Sequence, residues 1–240
     1  MGNMITRIGL IGAMDEEIHQ FRLDLETEEI QVRSGITFYL GEINGCFVVL
    51  CKSGVGKVNA AVTTQILIDV FDVSHIIFTG IAGALDEQLN VGDLVISTSA
   101  IQHDIDATAL GFERGQIPMQ SSSSIFMPDL NLVDLAEQAA NKVLSCRVIK
   151  GRVLSGDQFI ADIDFAKKLK LDFDGSCVEM EGASVAQVAT MSERPFVIIR
   201  AISDNANDEA TMSFTEFTEL ASQQSYLLVS EMLRNIKNNL

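Results

Sequence analysis

The sequence contains few residues of the kinds that interrupt a packed fold. Only three of its 240 residues are proline, none is tryptophan, and the one low-complexity stretch is the short run from Ser121 to Ser124. A proline-rich or glycine/serine-rich linker between domains is therefore excluded. Because 47% of the residues are hydrophobic, the chain can bury a sizeable core, which excludes a disordered chain. We predict one domain over residues 1–240.

Basic residues are also scarce. The chain has 17 lysines and arginines against 33 aspartates and glutamates, which gives a formal net charge of −16. A charge of this sign repels nucleic-acid phosphates and anionic lipids, so neither nucleic acid nor a membrane is an expected partner. The charge is compatible with a small neutral or cationic ligand, but it does not select one.

Metal-binding and membrane-spanning patterns are absent from the sequence. The four cysteines occur without a CxxC spacing, and His19, His75 and His103 are dispersed. We therefore predict no metal site, and we expect the cysteines to be reduced. No apolar run approaches the roughly 20 residues of a membrane helix, and the first residues lack the pattern of a signal peptide. These features predict a cytoplasmic protein.

The sequence does contain a regular alternation of short apolar runs with stretches of helical periodicity. This alternation is typical of an α/β domain in which helices cover a mixed, mostly parallel sheet. The predicted strands are 7–12, 47–50, 76–78, 91–97, 148–154, 177–180 and 196–202, and the predicted helices begin at 15 and cover 58–70, 130–144, 161–171, 182–191 and 214–236. In such a sheet we expect the ligand at the carboxyl ends of the strands.

Acidic or glycine-rich segments follow four of the predicted strands. They are Gly12–Glu17, Thr79–Gly83, Val178–Gly182 and Arg200–Asp204. The fold would direct all four toward one crevice. Burying several carboxylates together is costly unless they act on a ligand or share protons. The segments therefore predict a carboxylate-rich pocket.

Each acidic segment also has a simpler structural interpretation. Residues 15–17 can favour a helix N-terminus through its dipole. Glu179 and Glu181 can lie exposed on one face of a strand, and Asp204 can cap a turn. The glycine-rich segments match neither a P-loop nor a dinucleotide-binding motif. Spacing alone therefore indicates an α/β enzyme with a carboxylate-rich pocket and leaves the reaction open.

Taken together, seven segments resemble the 5′-methylthioadenosine/S-adenosylhomocysteine nucleosidases of the nucleoside phosphorylase-like superfamily. In chain order they are IGAMDEE (11–17), SGVGKVNAA (53–61), TGIAGAL (79–85), QHDIDATALGFERGQIP (102–118), SGDQFI (155–160), VEMEGASVAQV (178–188) and RAISDNA (200–206). The resemblance implies a three-layer α/β/α fold, a homodimer, and no metal or organic cofactor. It also implies hydrolytic removal of adenine from methylthioadenosine, S-adenosylhomocysteine and 5′-deoxyadenosine, in support of methionine salvage.

The resemblance also implies a role for each matching position. Glu17 corresponds to the base that activates the attacking water, and Asp204 corresponds to the acid that protonates adenine N7. Glu181 corresponds to the residue that holds the ribose hydroxyls. The other implied substrate-binding positions are Met180 and Glu179 beside Glu181, Phe159 and Ile160 at the purine, Ser203 and Arg200 supporting Asp204 and the water site, Ile81 near the water and ribose, and Met14, Val55 and Phe214, with Leu110 and Pro118 of the second subunit, around the 5′-thio group.

The chemistry explains why the reaction needs these residue types. Adenine leaves poorly as an anion, so N7 must gain a proton as the bond between C1′ and N9 breaks. A carboxyl group in a desolvated pocket can supply that proton. Negative charge nearby stabilises the oxocarbenium character of the sugar. A second carboxylate can take a proton from the water that attacks C1′, as in glycoside hydrolysis.

The sequence departs from the family pattern at two places. Ile81 stands where many relatives have serine, which removes a hydroxyl near the water and ribose. Leu110-Gly111-Phe112 replaces the more usual phenylalanine-glycine-tyrosine and alters the thioalkyl pocket.

Three other functions stay open at this stage. They are an aminodeoxyfutalosine hydrolase, a phosphate-dependent nucleoside phosphorylase and a non-catalytic nucleoside-binding protein. A carboxylate at position 17 would repel phosphate, which favours hydrolysis over phosphorolysis. The presence of Glu17, Glu181 and Asp204 together argues against a binding protein.

Overall fold

The computed structural model describes residues 6–120, 122–205 and 210–239, and in the last range it describes side chains from 216 to 236. The strands in this part of the chain are β1 Arg7–Gly12, β2 Glu26–Arg33, β3 Ile36–Ile43, β4 Cys46–Lys52, β5 His75–Ala84, β6 Leu94–Gln102, β7 Val148–Ser155, β8 Cys177–Glu179 and β9 Phe196–Asp204. The α-helices are α1 Asp15–Asp24, α2 Lys57–Asp69, α3 Leu130–Val143, α4 Ile163–Phe173, α5 Gly182–Met191 and α6 Ala210–Asn239, and a short 3₁₀ helix covers Thr108–Leu110.

The described strands form one mixed sheet in the order β2-β3-β4-β1-β5-β8-β7-β6-β9. β5 runs parallel to β1 and to β9, so these three strands direct their carboxyl ends the same way. β8 runs antiparallel to β5, with Val178 opposite Gly83. β9 also pairs with β6, which closes a ring of the strands β5, β8, β7, β6 and β9. The ring brings the end of β8 beside the ends of β5 and β9.

Helices cover both faces of the sheet. α1, α3 and α6 pack on one face against fully buried residues such as Leu10 and Ile199. α2 and α5 pack on the other face against Ile11, Phe78 and their neighbours, and α4 covers a smaller cluster around Leu154. Each large apolar side chain buried in this way contributes about 1.5–3 kcal/mol. None of the helices in the described part of the chain has both the length and the apolar character that crossing a bilayer requires.

The predicted α/β architecture with helices around a mixed sheet is confirmed, but several strands are longer than predicted, and β5 and β6 run furthest beyond their predicted ends. β5 continues through the glycine-rich segment 79–84, and β6 begins at Leu94 and continues to Gln102. Both extensions have hydrogen-bonded neighbours in the ring. Glycine inside a strand is typical of places where other groups approach the backbone closely.

The sequence patterns did not reveal the hairpin of β2 and β3. Its turn is Ser34-Gly35, and both residues have positive φ, 50° and 77°. β2 is an edge strand with four acidic or polar residues in its first half and almost no burial, so its apolar alternation is weak. A Ser-Gly pair between alternating apolar residues was the available signal.

Candidate active site

A cleft opens where the carboxyl ends of β1, β5 and β9 meet the end of β8. Small-molecule sites are concave and mostly apolar, with a few convergent polar groups. Most of the predicted site residues lie on its wall, namely Met14, Glu17, Val55, Ile81, Phe159, Ile160, Glu179, Met180, Glu181, Ser203 and Asp204. The structure thus brings together four strand-end segments that are far apart in the sequence.

Glu17 is buried in the first turn of α1. Its Oε2 accepts hydrogen bonds from the backbone N–H groups of Ala13 at 2.5 Å and Met14 at 3.0 Å. Its Oε1 accepts a third from Ile81 on β5 at 3.0 Å. A glutamate that reaches back over its own helix N-terminus satisfies N–H groups that the helix leaves free. The two preceding acids are exposed and fit the simpler helix-dipole interpretation, whereas Glu17 does not.

The environment of Glu17 favours its protonated form. Burial raises the pKa of the carboxyl above its ordinary value, and the Arg200 charge and the three backbone donors offset only part of this effect. A base works best when its pKa lies near the working pH. The raised pKa therefore makes Glu17 a stronger base than a carboxylate in water.

Arg200, buried within β9, places a positive charge next to Glu17. Its guanidinium lies 4.0 Å from the centroid of the Phe78 ring, and its Nη2 donates to Glu179. Its Nε and Nη1 have no hydrogen-bond partner among the described residues. Nη1 and Glu17 Oε1 both border the space above Gly80, since a Cβ added there would lie within 3.0 Å of each. The Glu17 and Arg200 side chains thus fill the space above Gly80, and only glycine at this position leaves room for both.

Glu179 ends β8, and its carboxylate is bound by protein groups. The donors are the Ser155 hydroxyl, the Arg200 guanidinium and the backbone N–H groups of Glu181 at 3.2 Å and Gly182 at 2.8 Å. Both Glu179 and Arg200 are almost completely buried, so each charge needs the other. Glu179 lines the cleft, but these hydrogen bonds orient Arg200 and the start of α5.

Glu181 lies just before α5, also buried. Its Oε1 accepts a hydrogen bond from the Gly56 N–H at 2.8 Å. Burial, followed by the negative charge of Glu179, raises the pKa of the Glu181 carboxyl. The interpretation that Glu179 and Glu181 share an exposed strand face is wrong, because β8 ends at Glu179 and the chain turns into α5 after Met180.

Asp204 is the last residue of β9 and is 2% exposed. The Ser203 hydroxyl donates to its Oδ2 at 2.9 Å. Arg200, which the resemblance paired with both Asp204 and the water site, extends toward Glu179 and Glu17. Ser203 is therefore linked to Asp204, whereas Arg200 is linked to Glu179 and acts on the charge of Glu17.

The segment 156–160 contributes Gln158, Phe159 and Ile160 to the wall of the cleft. Ile160 is buried in the cluster under α4, and Phe159 is 48% exposed. Gly156 donates its N–H to the carbonyl of Glu179 at 3.1 Å. A broad aromatic face on the cleft wall beside a buried backbone turn fits a flat heteroaromatic ligand.

Four predicted residues are not among those that line this cleft, and one of them is Arg200, the buried side chain described above. Leu110, at the end of the 3₁₀ helix, is 71% exposed, and Pro118 is partly buried in the loop that follows. Both were predicted to act on the cleft of a second subunit, and that prediction stays open. The side chain of Phe214 lies outside the described residues.

The sequence reasoning missed several residues that build the cleft. Ala13, Ala82, Gly83, Gln158 and Val178 line its wall. All five lie inside segments singled out in the sequence, so their position within those motifs was the signal that could have found them. Within the described ranges, no group of three or more His, Cys, Asp or Glu side chains is arranged to hold a metal ion.

Comparison with known proteins identifies the family. A model of the phosphorylase superfamily matches residues 7–234. A 5′-methylthioadenosine/S-adenosylhomocysteine nucleosidase of Psychromonas ingrahamii is 42% identical over 231 residues, which covers 96% of this chain and 99% of the relative. The chain belongs to this nucleosidase family. The resemblance seen in the sequence is therefore confirmed.

Solved structures of nucleosidases and related hydrolases share the fold. The nucleosidase of Neisseria meningitidis, in complex with methylthio-immucillin-A, is 38% identical with a TM-score of 0.92, covering 96% of this chain and 100% of that one. A futalosine hydrolase of Helicobacter pylori is 34% identical, also with a TM-score of 0.92, covering 98% and 100%. The predicted nucleoside phosphorylase-like fold is thus confirmed for this member of the nucleosidase family.

Proposed function

We propose that this chain hydrolyses the N-glycosidic bond of 5′-methylthioadenosine and S-adenosylhomocysteine, releasing adenine and the 5′-substituted ribose. The observation that carries the proposal is one cleft whose wall holds two buried carboxyl groups, Glu17 and Asp204, with the buried Arg200 charge acting on Glu17 from behind the wall. The family supports the substrate class, because its curated relatives are named for these two nucleosides.

In the proposed reaction, Asp204 supplies the acid. Its carboxyl group protonates N7 of adenine as the bond between C1′ and N9 breaks, so the bonding electrons leave on a neutral base. The Ser203 hydroxyl, 2.9 Å from Oδ2, orients the carboxyl group. Because Asp204 is buried, water competes little for this proton.

Glu17 and Arg200 prepare the nucleophile in this mechanism. Water binds the Glu17 carboxylate where this residue lines the cleft, and the buried Arg200 charge beside it stabilises the carboxylate. As water adds its oxygen to C1′, Glu17 takes the proton. The carboxylates on this side also stabilise the positive charge that develops on the sugar.

The remaining cleft residues position the substrate. Glu181 accepts hydrogen bonds from the ribose hydroxyls, next to the Met180 backbone. Phe159 stacks on the purine, and the Ile160 backbone binds its edge. The 5′-thio group packs against the apolar side chains of the cleft wall, and the exposed Leu110 of a second copy completes this pocket in a homodimer.

The apolar 5′ region extends the proposal to other substrates. Met14 and Val55, the described residues of this chain assigned to the 5′ substituent, offer it no polar side-chain group, so 5′-deoxyadenosine fits as well. Aminodeoxyfutalosine is a second candidate substrate, because a futalosine hydrolase shares 34% identity and the whole fold with this chain. Cleavage of these nucleosides would support methionine salvage and remove methylation by-products.

Adenine release from methylthioadenosine, measured with and without phosphate, tests the proposed function. We expect phosphate-independent formation of methylthioribose that falls by at least about 100-fold in Asp204→Asn and in Glu17→Gln. Glu16→Gln is the matched control, since Glu16 is the exposed neighbour in the same helical turn. Formation of methylthioribose 1-phosphate would establish a phosphorylase, and binding without turnover would establish a nucleoside-binding protein.

A further inference from the structure

The side chains of Asp104 and Asp157 lie outside the cleft wall and connect the segment 156–160 to the start of α2. Asp104 accepts a hydrogen bond on Oδ2 from the backbone N–H of Asp157 at 3.0 Å. Its Oδ1 accepts one from Nζ of Lys57 at 2.6 Å. Asp157 in turn accepts on its Oδ1 from the backbone N–H of Lys57 at 2.8 Å. These three bonds form a closed set among three loops that are distant in the sequence.

The same segment rests on a buried histidine. The ring of His103 is fully buried, and a Cβ added to Gly156 would lie 2.6 Å from its Cε1. The backbone of His103 also donates to the carbonyl of Ser155 at 2.9 Å. Position 156 therefore requires glycine for space. His103, the residue before Asp104, packs directly against the segment 156–160.

The ion pair between Lys57 and Asp104 is largely shielded from solvent, although the Asp157 N–H that Asp104 also binds belongs to an exposed residue. The side chains of Lys57 and Asp104 are 17% and 19% exposed. Burial acts to raise the pKa of Asp104, but the hydrogen bonds from Lys57 and from the Asp157 N–H outweigh it, so the pKa is lowered. Asp104 is thus charged at neutral pH, and charge-assisted bonds of this kind are stronger than neutral ones.

The start of α2 also reaches the sugar side of the cleft. Gly56 donates to Glu181, the proposed ribose ligand, and the Ser184 hydroxyl donates to the carbonyl of Lys57 at 2.6 Å. One short stretch of backbone, residues 56–57, therefore contacts the ribose-side carboxylate and the 156–160 segment together.

We propose that Asp104 is a positioning residue for the purine: by bonding Lys57 and the Asp157 backbone at once, it holds the 156–160 segment, with Phe159 and Ile160, at the place where adenine binds. This inference rests on the proposed function. Asp104 does not touch the substrate. It acts through the segment that does.

An asparagine at position 104 cannot reproduce both bonds. The amide has one oxygen and one NH₂ group, whereas both partners of Asp104 are donors. Whichever way the amide turns, its NH₂ group faces either the Lys57 ammonium or the Asp157 N–H. Asp104→Asn is therefore nearly isosteric and loses one bond with certainty.

The experiment compares Asp104→Asn with wild type by calorimetric titration of adenine and, separately, of 5′-methylthioribose. We expect the Kd for adenine to rise about tenfold and the Kd for methylthioribose to stay within about twofold. KM for methylthioadenosine should rise about tenfold, with kcat changing less than about threefold. The control is Asp174→Asn, which removes an exposed ion pair with Lys170 at 3.1 Å and lies outside the cleft.

Hydrogen exchange of the Asp157 amide supplies a readout that needs no turnover. In Asp104→Asn this amide should lose protection while the amides of β5 keep theirs. Lys57→Met serves as a second variant if Asp104→Asn does not fold, and it should weaken adenine binding in the same selective way. An unchanged Kd for adenine, or equal losses for adenine and methylthioribose, would overturn the positioning role. A wild-type protein that binds no adenine would instead overturn the proposed function.

Discussion

At Gly80, one added methyl group should displace the proposed catalytic carboxylate of Glu17. Gly80 lies within β5, and a Cβ added there would lie 2.7 Å from Cδ of Glu17 and closer still to Glu17 Oε1 and Arg200 Nη1. Carbon atoms in contact are about 3.5–4.0 Å apart. In Gly80→Ala the Glu17 carboxylate must therefore move by about 1 Å, and the guanidinium must move away from it.

The size of the effect follows from how Glu17 is held. Backbone N–H groups at Ala13, Met14 and Ile81 fix both carboxylate oxygens, so the displacement breaks at least one of three bonds. A misplacement of about 1 Å at a reacting group costs about 100-fold in rate. We expect kcat for adenine release to fall about 100-fold, with a smaller rise in KM because the proposed mechanism places Glu17 against the water and not against the purine.

The assay is the initial rate of adenine release over a range of methylthioadenosine concentrations, with thermal unfolding measured on the same samples. Gly9→Ala is the matched control, because Gly9 lies in the neighbouring strand β1 and the nearest atoms to its added Cβ belong to the Leu67 and Val73 side chains, at 3.2–3.5 Å. Both variants carry an extra buried methyl, but only Gly80→Ala should lose turnover. If Gly80→Ala keeps kcat within about threefold of wild type, the catalytic role proposed for the Glu17 carboxylate is wrong.

Three further predictions address charge and packing around the cleft. Because the Arg200 charge lowers the pKa of Glu17, Arg200→Met should raise that pKa, so the acidic limb of the kcat/KM profile, where Glu17 becomes protonated, should move to higher pH. Gly156→Ala should raise KM about tenfold because its added Cβ collides with the His103 ring. KM measured on the double variant Gly156→Ala/His103→Ala should recover part of this loss. Ser155→Ala removes the hydroxyl that accepts from the buried Ala183 N–H and donates to the Glu179 carboxylate. Urea unfolding should therefore show that the free energy of unfolding falls by about 1–3 kcal/mol.

Much of the fold could be predicted because its strands and helices carry strong local patterns. The run RIGLIG predicted β1 with its observed bounds, and the apolar periodicity after Gly182 predicted α5 with its observed bounds. The hairpin of β2 and β3 was missed because an exposed acidic edge strand has almost no hydrophobic face to detect. The full length of β5 was missed because glycines at positions 80 and 83 look like a loop until both neighbouring strands are known.

The sequence by itself determined the family, the fold class and the set of strand-end segments from which the cleft is built, because each depends on residue types and their order along the chain. Only the tertiary structure decided how these residues act on one another. Burial raises the pKa of Glu17, the Arg200 charge acts on Glu17, protein donors bind Glu179, and Asp104 bonds two loops. All of these effects depend on contacts between residues from different strands and loops. Such contacts depend on how the strands of the ring and their loops meet in space, and no local pattern encodes a distance between residues 17 and 200 or between residues 104 and 157.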